Sequence, residues 1–159
     1  KFAKALGAEV TIFTRSEAKV KEAKKQGADH VVISTDAEQM QAVTETFDFM
    51  LDTVPVKHDL NPYLNCLKYD GTHIIVGLLE PVEPALEAGA LVMKRRVLAG
   101  SLIGGLPETQ EMLDFCAEHG IAADYEMVAM DEVNEAYEKL LAGQVKYRFV
   151  IDMATMPAL

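Results

Sequence analysis

Strand-like and helix-like segments alternate along most of this chain, and this alternation constrains the fold more than any other feature of the sequence. Short β-branched and apolar runs predict strands at residues 10–14, 30–34, 47–54, 72–77, 97–103, 126–129 and 148–152. Helical patterns are predicted at residues 1–6, 17–26, 36–46, 60–67, 107–119 and 132–141, and a further short apolar helix is predicted to end near Met93. This order predicts an α/β fold with a doubly wound parallel sheet covered by helices on both faces.

The turn after the first strand carries the clearest sign of a ligand. Thr14, Arg15 and Ser16 end the strand, Ser16 is placed to cap the next helix, and Lys19 follows one turn later. In a dinucleotide-binding unit an acidic residue here would bind the ribose 2′-hydroxyl, whereas hydroxyls and cations would hold a 2′-phosphate. The pattern therefore favours NADP over NAD. On these residues alone, a plain helix cap with solvated Arg15 and Lys19 is an equally good interpretation.

Further strand ends carry residues that suit contact with a nucleotide. They are Thr53 at the end of the third strand, Gly77 at the end of the fourth, and Ser101, Leu102 and Ile103 at the end of the fifth. Pro55 forces the chain to turn just after Thr53, because proline cannot donate to a strand ladder. An ordinary strand exit explains each of these positions equally well.

Composition excludes several classes of partner. The formal net charge of −10 argues against binding to a nucleic-acid backbone. No run of about 18 apolar residues predicts a membrane span, and the first residues are too charged for a signal peptide. Cys66 and Cys116 lie far apart in helical patterns, which predicts buried thiols and favours the reducing cytoplasm as the compartment.

Metal-binding and cationic motifs are weak in this sequence. None of the four histidines has a Cys, His or Asp at metal-ligand spacing, so we expect no metal ligand in the chain. The run Lys94-Arg95-Arg96 is interpreted as a solvated patch.

Several motifs, taken in order, resemble the cinnamyl alcohol dehydrogenase branch of the zinc-dependent medium-chain alcohol dehydrogenases. They are Asp-Thr-Val-Pro-Val-Lys-His-Asp-Leu-Asn-Pro-Tyr-Leu at residues 52–64, Gly-Ser-Leu-Ile-Gly at 100–104, Glu-Thr-Gln-Glu-Met-Leu-Asp-Phe-Cys at 108–116 and Tyr-Arg-Phe-Val-Ile-Asp at 147–152. The resemblance implies that residues 1–152 are part of an NADP-binding Rossmann domain, with a tail at 153–159. It also implies the hydride transfer between NADPH and an aldehyde that this family performs, with a zinc ion polarising the aldehyde oxygen.

The resemblance assigns roles to individual residues. It implies that Thr14, Arg15, Ser16 and Lys19 form a 2′-phosphate pocket, with Arg15 replacing the small hydroxyl residue usual in this branch. Thr53 would contact the cofactor ribose region, and Gly77 with Ser101, Leu102 and Ile103 would contact the nicotinamide side. Arg148 would contact the pyrophosphate.

In this family the first strand, a Gly-x-Gly-Gly-x-Gly turn and the zinc ligands would precede Lys1. The resemblance therefore implies that the chain supplies the position of the cofactor and no catalytic residue. Residues 1–159 alone are expected to show no turnover, and the alcohol or aldehyde is not specified by these residues. A non-catalytic nucleotide-binding or dimerisation module is the main alternative. A methyltransferase-like enzyme is a third, which the Thr-Arg-Ser-Glu turn disfavours because such sites usually bind ribose hydroxyls through an acid.

Two expectations concern unpaired strand edges. In the strand order 3-2-1-4-5-6, the missing first strand would lie between the strands at Val10 and Phe49. Because unpaired buried backbone groups are costly, we expect some backbone to occupy that position, from a preceding segment, from rearranged pairing or from another copy. An exposed edge of the apolar strand at residues 97–103 favours pairing with the same strand of a second copy. We therefore also expect a homodimer through the segment that runs from Leu98 to Ile103.

Overall fold

A computed structural model describes residues 1–77 and 80–156, and it confirms the α/β class. The strands are β1 Thr11–Thr14, β2 His30–Ile33, β3 Phe47–Asp52, β4 Leu67–Ile75, β5 Val97–Gly100, β6 Glu126–Ala129 and β7 Phe149–Asp152. The helices are α1 Phe2–Ala5, α2 Val20–Lys25, α3 Ala37–Ala42, α4 Asn61–Cys66, α5 Ala88–Val92, α6 Leu106–Glu118 and α7 Val133–Leu141. Short 3-10 turns occupy Glu17–Lys19, Met130–Glu132 and Met153–Thr155. The last three residues of the expected tail lie outside the described residues.

All strand pairs in the described residues are parallel, as a wound α/β fold requires. They form three separate sheets, with the orders β1-β2, β3-β4-β5 and β6-β7, where the sequence predicted one continuous sheet. Within residues 1–77 and 80–156, β1 pairs only with β2, and β3 pairs only with β4. Rearranged pairing within the chain therefore does not fill the expected central position, and its occupation by another segment or copy stays a prediction.

The chain divides into two compact units, residues 1–109 and residues 110–159, with the boundary inside α6. The second unit contains the parallel pair β6-β7 and α7, which buries Ala136. The resemblance in sequence implies one cofactor-binding domain over residues 1–152. The contacts divide the chain earlier, and the assignment of residues 1–152 to one functional domain stays a prediction.

The core of the first unit lies where α4 runs into β4. Met50, Leu64, Cys66 and Leu67 are buried together there. Phe13 of β1 joins this core through edge-to-face contacts with Phe47 and Tyr63, with both ring centroids 5.5 Å away. Since β1 and β3 share no hydrogen bonds, aromatic packing connects them.

The two cysteines differ in their surroundings. Cys66 is buried, and desolvation raises the pKa of its thiol, so the prediction of a buried thiol is confirmed for this residue. Cys116 is partly exposed. Both are free thiols, as their separation in sequence predicted.

Strand β4 begins earlier than predicted. The sequence predicted a turn at Asp70-Gly71 before a strand at residues 72–77, but β4 already starts at Leu67. Its register with β3 shifts between Phe47 and Phe49, and Asp70 takes a positive φ of 60° at this irregularity. The polar pair that looked like a turn is therefore a kink within one strand.

The interpretation of Lys94-Arg95-Arg96 as a solvated patch is wrong for Arg96. Its side chain is buried and donates hydrogen bonds to the backbone carbonyls of Leu67, Lys68 and Ala90. A buried guanidinium needs such acceptors, and here it ties α5 to the start of β4. Arg95, by contrast, is exposed and lies 3.0 Å from an Asp70 carboxylate oxygen.

Candidate functional site

The turn after β1 keeps its cations available. Thr14 Oγ1 accepts a hydrogen bond from the Ser16 backbone N–H at 3.3 Å, and Ser16 occupies the N-cap position of a 3-10 turn. The Ser16 side chain makes no capping hydrogen bond, so the interpretation of this serine as a plain helix cap is not supported. Arg15 and Lys19 are exposed. Within the described part of the chain, neither has an ion-pair partner.

The carboxyl ends of β3, β4 and β5 meet at one edge of their sheet because these strands are parallel neighbours. Thr53, Gly77 and Ser101 follow these ends and are brought to the same edge. The Gly77 N–H donates to the Asp52 carbonyl at 3.2 Å, and the Ser101 N–H donates to the Ile75 carbonyl at 3.1 Å. Backbone hydrogen bonds thus fix the relative positions of these three predicted site residues.

Gly77 lies so close to the loop after β3 that no side chain fits. An ideally placed Cβ at this position would lie 2.5 Å from the carbonyl carbon and oxygen of Thr53 and 2.8 Å from the Val54 oxygen. These are backbone atoms, which cannot rotate away as a side chain can. The glycine predicted to permit close approach therefore permits approach of this loop.

Strand β5 is shorter than the strand predicted at residues 97–103. The strand ends at Gly100, and Ser101, Leu102 and Ile103 continue without regular structure. Leu102 and Ile103 are 85% and 89% exposed. Two large apolar side chains of this kind, next to each other and almost fully exposed, form a surface suited to a ligand or a partner.

Arg148 is the one predicted site residue in the second unit. It lies just before β7, it is exposed, and its carbonyl accepts a hydrogen bond from the Glu126 N–H at 3.0 Å. The structure thus places it in the unit that contains β6 and β7. Its role at a pyrophosphate stays a prediction.

A cluster that the sequence analysis treated as weak lies beside Thr53. Asp52 Oδ2 is 2.9 Å from His58 Nε2 and 3.3 Å from His73 Nε2, and Asp52 Oδ1 accepts the Val54 N–H at 3.0 Å. Burial lowers the pKa of His73, although the Asp52 carboxylate opposes this shift. Within residues 1–77 and 80–156, His73 Nδ1 has no hydrogen-bond partner. The only signal in the sequence was an acidic residue ending an apolar strand, with a histidine six positions later.

Metal ligands do not gather anywhere in the described residues. No group of three or more His, Cys, Asp or Glu side chains within residues 1–77 and 80–156 is arranged to hold a metal ion. In the same residues, no helix combines the length and the apolar character needed to cross a bilayer.

Parallel strands joined by helical crossovers, with polar residues at the strand ends, place this chain in the class of Rossmann-like nucleotide-binding folds. The family described as zinc-binding dehydrogenases matches residues 1–118, and the chain belongs to this family. The resemblance found in the sequence motifs is thereby confirmed.

Curated relatives support an oxidoreductase family. The aldehyde reductase YahK of Escherichia coli (strain K12) is 55% identical over 156 residues, which are 98% of this chain and 45% of that protein. The mannitol dehydrogenase of Petroselinum crispum is 51% identical over 97% of this chain and 46% of its own length. The chain thus spans about half the length of the curated relatives it matches.

Solved structures share the fold closely. A cinnamyl alcohol dehydrogenase from Sorghum bicolor superposes with a TM-score of 0.91 at 43% identity, over 99% of this chain and 44% of that one. A structure of CAD from Helicobacter pylori complexed with NADP(H) gives a TM-score of 0.81 at 36% identity, over 98% of this chain and 44% of that one.

The contact at Gly77 generates a stability prediction. We expect Gly77→Ala to lower the free energy of unfolding by about 1–3 kcal/mol, because the new methyl group must displace backbone at Thr53. Gly89→Ala in α5 is the matched control, since a Cβ at Gly89 meets nothing within 4 Å. Urea denaturation measures both variants. Equal stability of the two would contradict the close contact.

The burial of His73 generates a pH prediction. Its pKa is lower in the folded chain than its ordinary value, so on acidification the unfolded chain takes up the proton first. The stability is present above the ordinary histidine pKa of about 6.5 and is lost as the pH falls through the folded value. We expect the free energy of unfolding to fall between about pH 7.5 and pH 5.5, and to fall less in His73→Leu.

Urea denaturation at both pH values checks this expectation. An equal loss of stability in the wild type and in His73→Leu would show that His73 does not carry the effect.

Proposed function

We propose that this chain is the cofactor-binding part of an NADP-dependent zinc alcohol dehydrogenase or aldehyde reductase. The observation that carries the proposal is the turn after β1, where, among the residues that the structure describes, Arg15 and Lys19 have no ion-pair partner and the Ser16 side chain makes no capping hydrogen bond. The 2′-phosphate of NADP is an anion that two cations and a hydroxyl in such a turn can bind. The uncharged 2′-hydroxyl of NAD does not require a positively charged turn. Membership of the zinc-binding dehydrogenase family and the NADP(H) complex of the Helicobacter pylori relative support it.

The remaining predicted residues receive roles within this proposal. Thr53 contacts the cofactor ribose region, and Gly77 with the segment from Ser101 to Ile103 contacts the nicotinamide side. Arg148 contacts the pyrophosphate. When NADPH is bound it supplies the hydride for the aldehyde carbon. The described residues of this chain do not fit a zinc ion, so the proposal assigns the zinc ligands to residues outside it.

Cofactor choice provides the test. We expect Arg15→Asp with Lys19→Ala to abolish most of the preference for NADPH over NADH in the protein as its gene encodes it. Charge-assisted hydrogen bonds to a phosphate are worth roughly 1.5–3 kcal/mol each, which is one or two decades of discrimination apiece. The ratio of kcat/KM for the two cofactors measures the effect.

A matched control carries the same change in charge elsewhere. Arg95→Asp with Lys94→Ala alters two cations that precede β5, at the opposite end of that strand from Ser101, and it should keep the preference. Equal kcat/KM values for NADPH and NADH in the wild type would refute the proposed cofactor.

A non-catalytic nucleotide-binding or dimerisation module is the second candidate, favoured by the exposed Leu102 and Ile103 beside an edge of β5 that is unpaired in the described residues. The gene discriminates between the two functions. A reading frame that continues upstream with a set of Cys and His zinc ligands supports the enzyme, and a gene without one supports the module.

Self-association is part of the proposal. In the described residues β5 pairs only with β4, so its outer edge is open, and Leu102 and Ile103 are exposed beside it. We expect a symmetric homodimer through residues 98–103, with the two copies antiparallel across a two-fold axis. Light scattering at high micromolar concentration should give the mass of a dimer, and Leu102→Pro should give a monomer. A monomeric wild type, or a dimeric Leu102→Pro variant, would refute this surface.

A further inference from the structure

The loop after β3 is exposed but is held by a buried anchor. Residues 53–57 are all exposed, including the apolar side chains of Val54 and Val56. The residues on either side are not: the Asp52 side chain is 6% exposed and the His58 side chain is 18% exposed. The contact between Asp52 and His58 joins the two ends of this loop, so the loop keeps a defined conformation although its residues are exposed.

His58 closes this loop with both of its ring nitrogens. Nε2 lies 2.9 Å from the Asp52 carboxylate, and Nδ1 lies 2.8 Å from the backbone carbonyl of Val56. A carbonyl oxygen accepts hydrogen bonds and does not donate them, and the same holds for an ionised carboxylate. Each ring nitrogen of His58 thus lies within hydrogen-bond distance of an oxygen acceptor. One side chain thereby connects Val56, the third residue after Thr53, to Asp52 at the strand end.

Asp52 in turn is held from three sides. Its carboxylate accepts a hydrogen bond from the Val54 N–H at 3.0 Å. The same carboxylate contacts the ring of His58 and, at 3.3 Å, the ring of His73 in β4. Tyr63 of α4 meets the His58 ring edge to face, with centroids 6.0 Å apart. On the outer side of the loop, Lys57 pairs with Glu83 at 3.3 Å. The anchor thus has partners on the strand, on the neighbouring strand and on the helix.

We propose that His58 is a positioning residue for the nicotinamide half of the cofactor, acting through the loop at residues 53–57. The inference rests on the proposed function. A dinucleotide spans a wound sheet at its switch point, so its two halves contact the strands on either side of the central position. The turn after β1 takes the adenosine half, and the carboxyl edge of β3, β4 and β5 takes the other. Gly77 confines the loop at Thr53, and His58 confines it at Val56.

The test compares two ligands that share only the adenosine half. NADPH would reach both sides of the site, whereas adenosine 2′,5′-bisphosphate would reach only the turn after β1. In the protein as its gene encodes it, we expect His58→Ala to weaken NADPH binding by about tenfold, because the side chain that joins Val56 to Asp52 is lost. Binding of the bisphosphate should not change. Fluorescence titration measures both dissociation constants.

Two further variants separate positioning from general stability. His58→Gln retains an uncharged amide donor for Asp52, and it should recover part of the lost NADPH affinity. His30→Ala is the matched control, since His30 makes a similar contact with Glu9 at 2.8 Å but begins β2. It should bind both ligands as the wild type does. If His58→Ala does not fold, His58→Asn replaces it with the same expectation.

The outcomes distinguish this inference from the function on which it rests. A wild type that binds neither ligand refutes the proposed function. A wild type that binds both, together with a His58 variant that loses neither ligand or loses both equally, refutes only the positioning role.

Discussion

The parallel pairing of β3, β4 and β5 is the constraint on which the candidate site depends. Parallel neighbours place all their carboxyl ends on one edge, and backbone hydrogen bonds from Gly77 to Asp52 and from Ser101 to Ile75 fix that edge. Residues from three distant parts of the sequence are thereby brought to the same edge of the sheet. The same pairing places His73 within reach of Asp52, so the buried cluster and the exposed ligand edge have one origin.

Features that depend on a few neighbouring residues could be predicted from the sequence. Asp36 caps α3 through the N–H groups of Glu38 and Gln39, as its position before a helical pattern suggested. The turn from Thr14 to Lys19 also depends on local order alone. Its residues follow β1 and lead into a 3-10 turn, whereas their contact with a cofactor stays a prediction.

Features that depend on distant partners could not be predicted in the same way. Arg96 looks like part of a charged run, and only the folded chain brings the carbonyls of Leu67 and Ala90 to its guanidinium. The polar pair at Asp70 and Gly71 suggests a turn, yet the Asp70 N–H bonds to Lys94 next to β5, and the strand continues through it. His58 and His73 gain meaning only through Asp52. Local propensity was overridden in each case by a contact between elements.

Because the two cysteines differ in burial, the rates at which their thiols are modified can report local opening of the folded chain. Cys66 lies in the core of residues 1–109 with a raised pKa, and Cys116 lies partly exposed in residues 110–159. The thiolate is the reactive form, so burial and a raised pKa both slow the reaction of Cys66 with alkylating reagents. Modification at Cys66 therefore requires its core to open, while modification at Cys116 reports the accessibility of the other unit. The rates at the two thiols read the dynamics of each unit separately, with no label added to the protein.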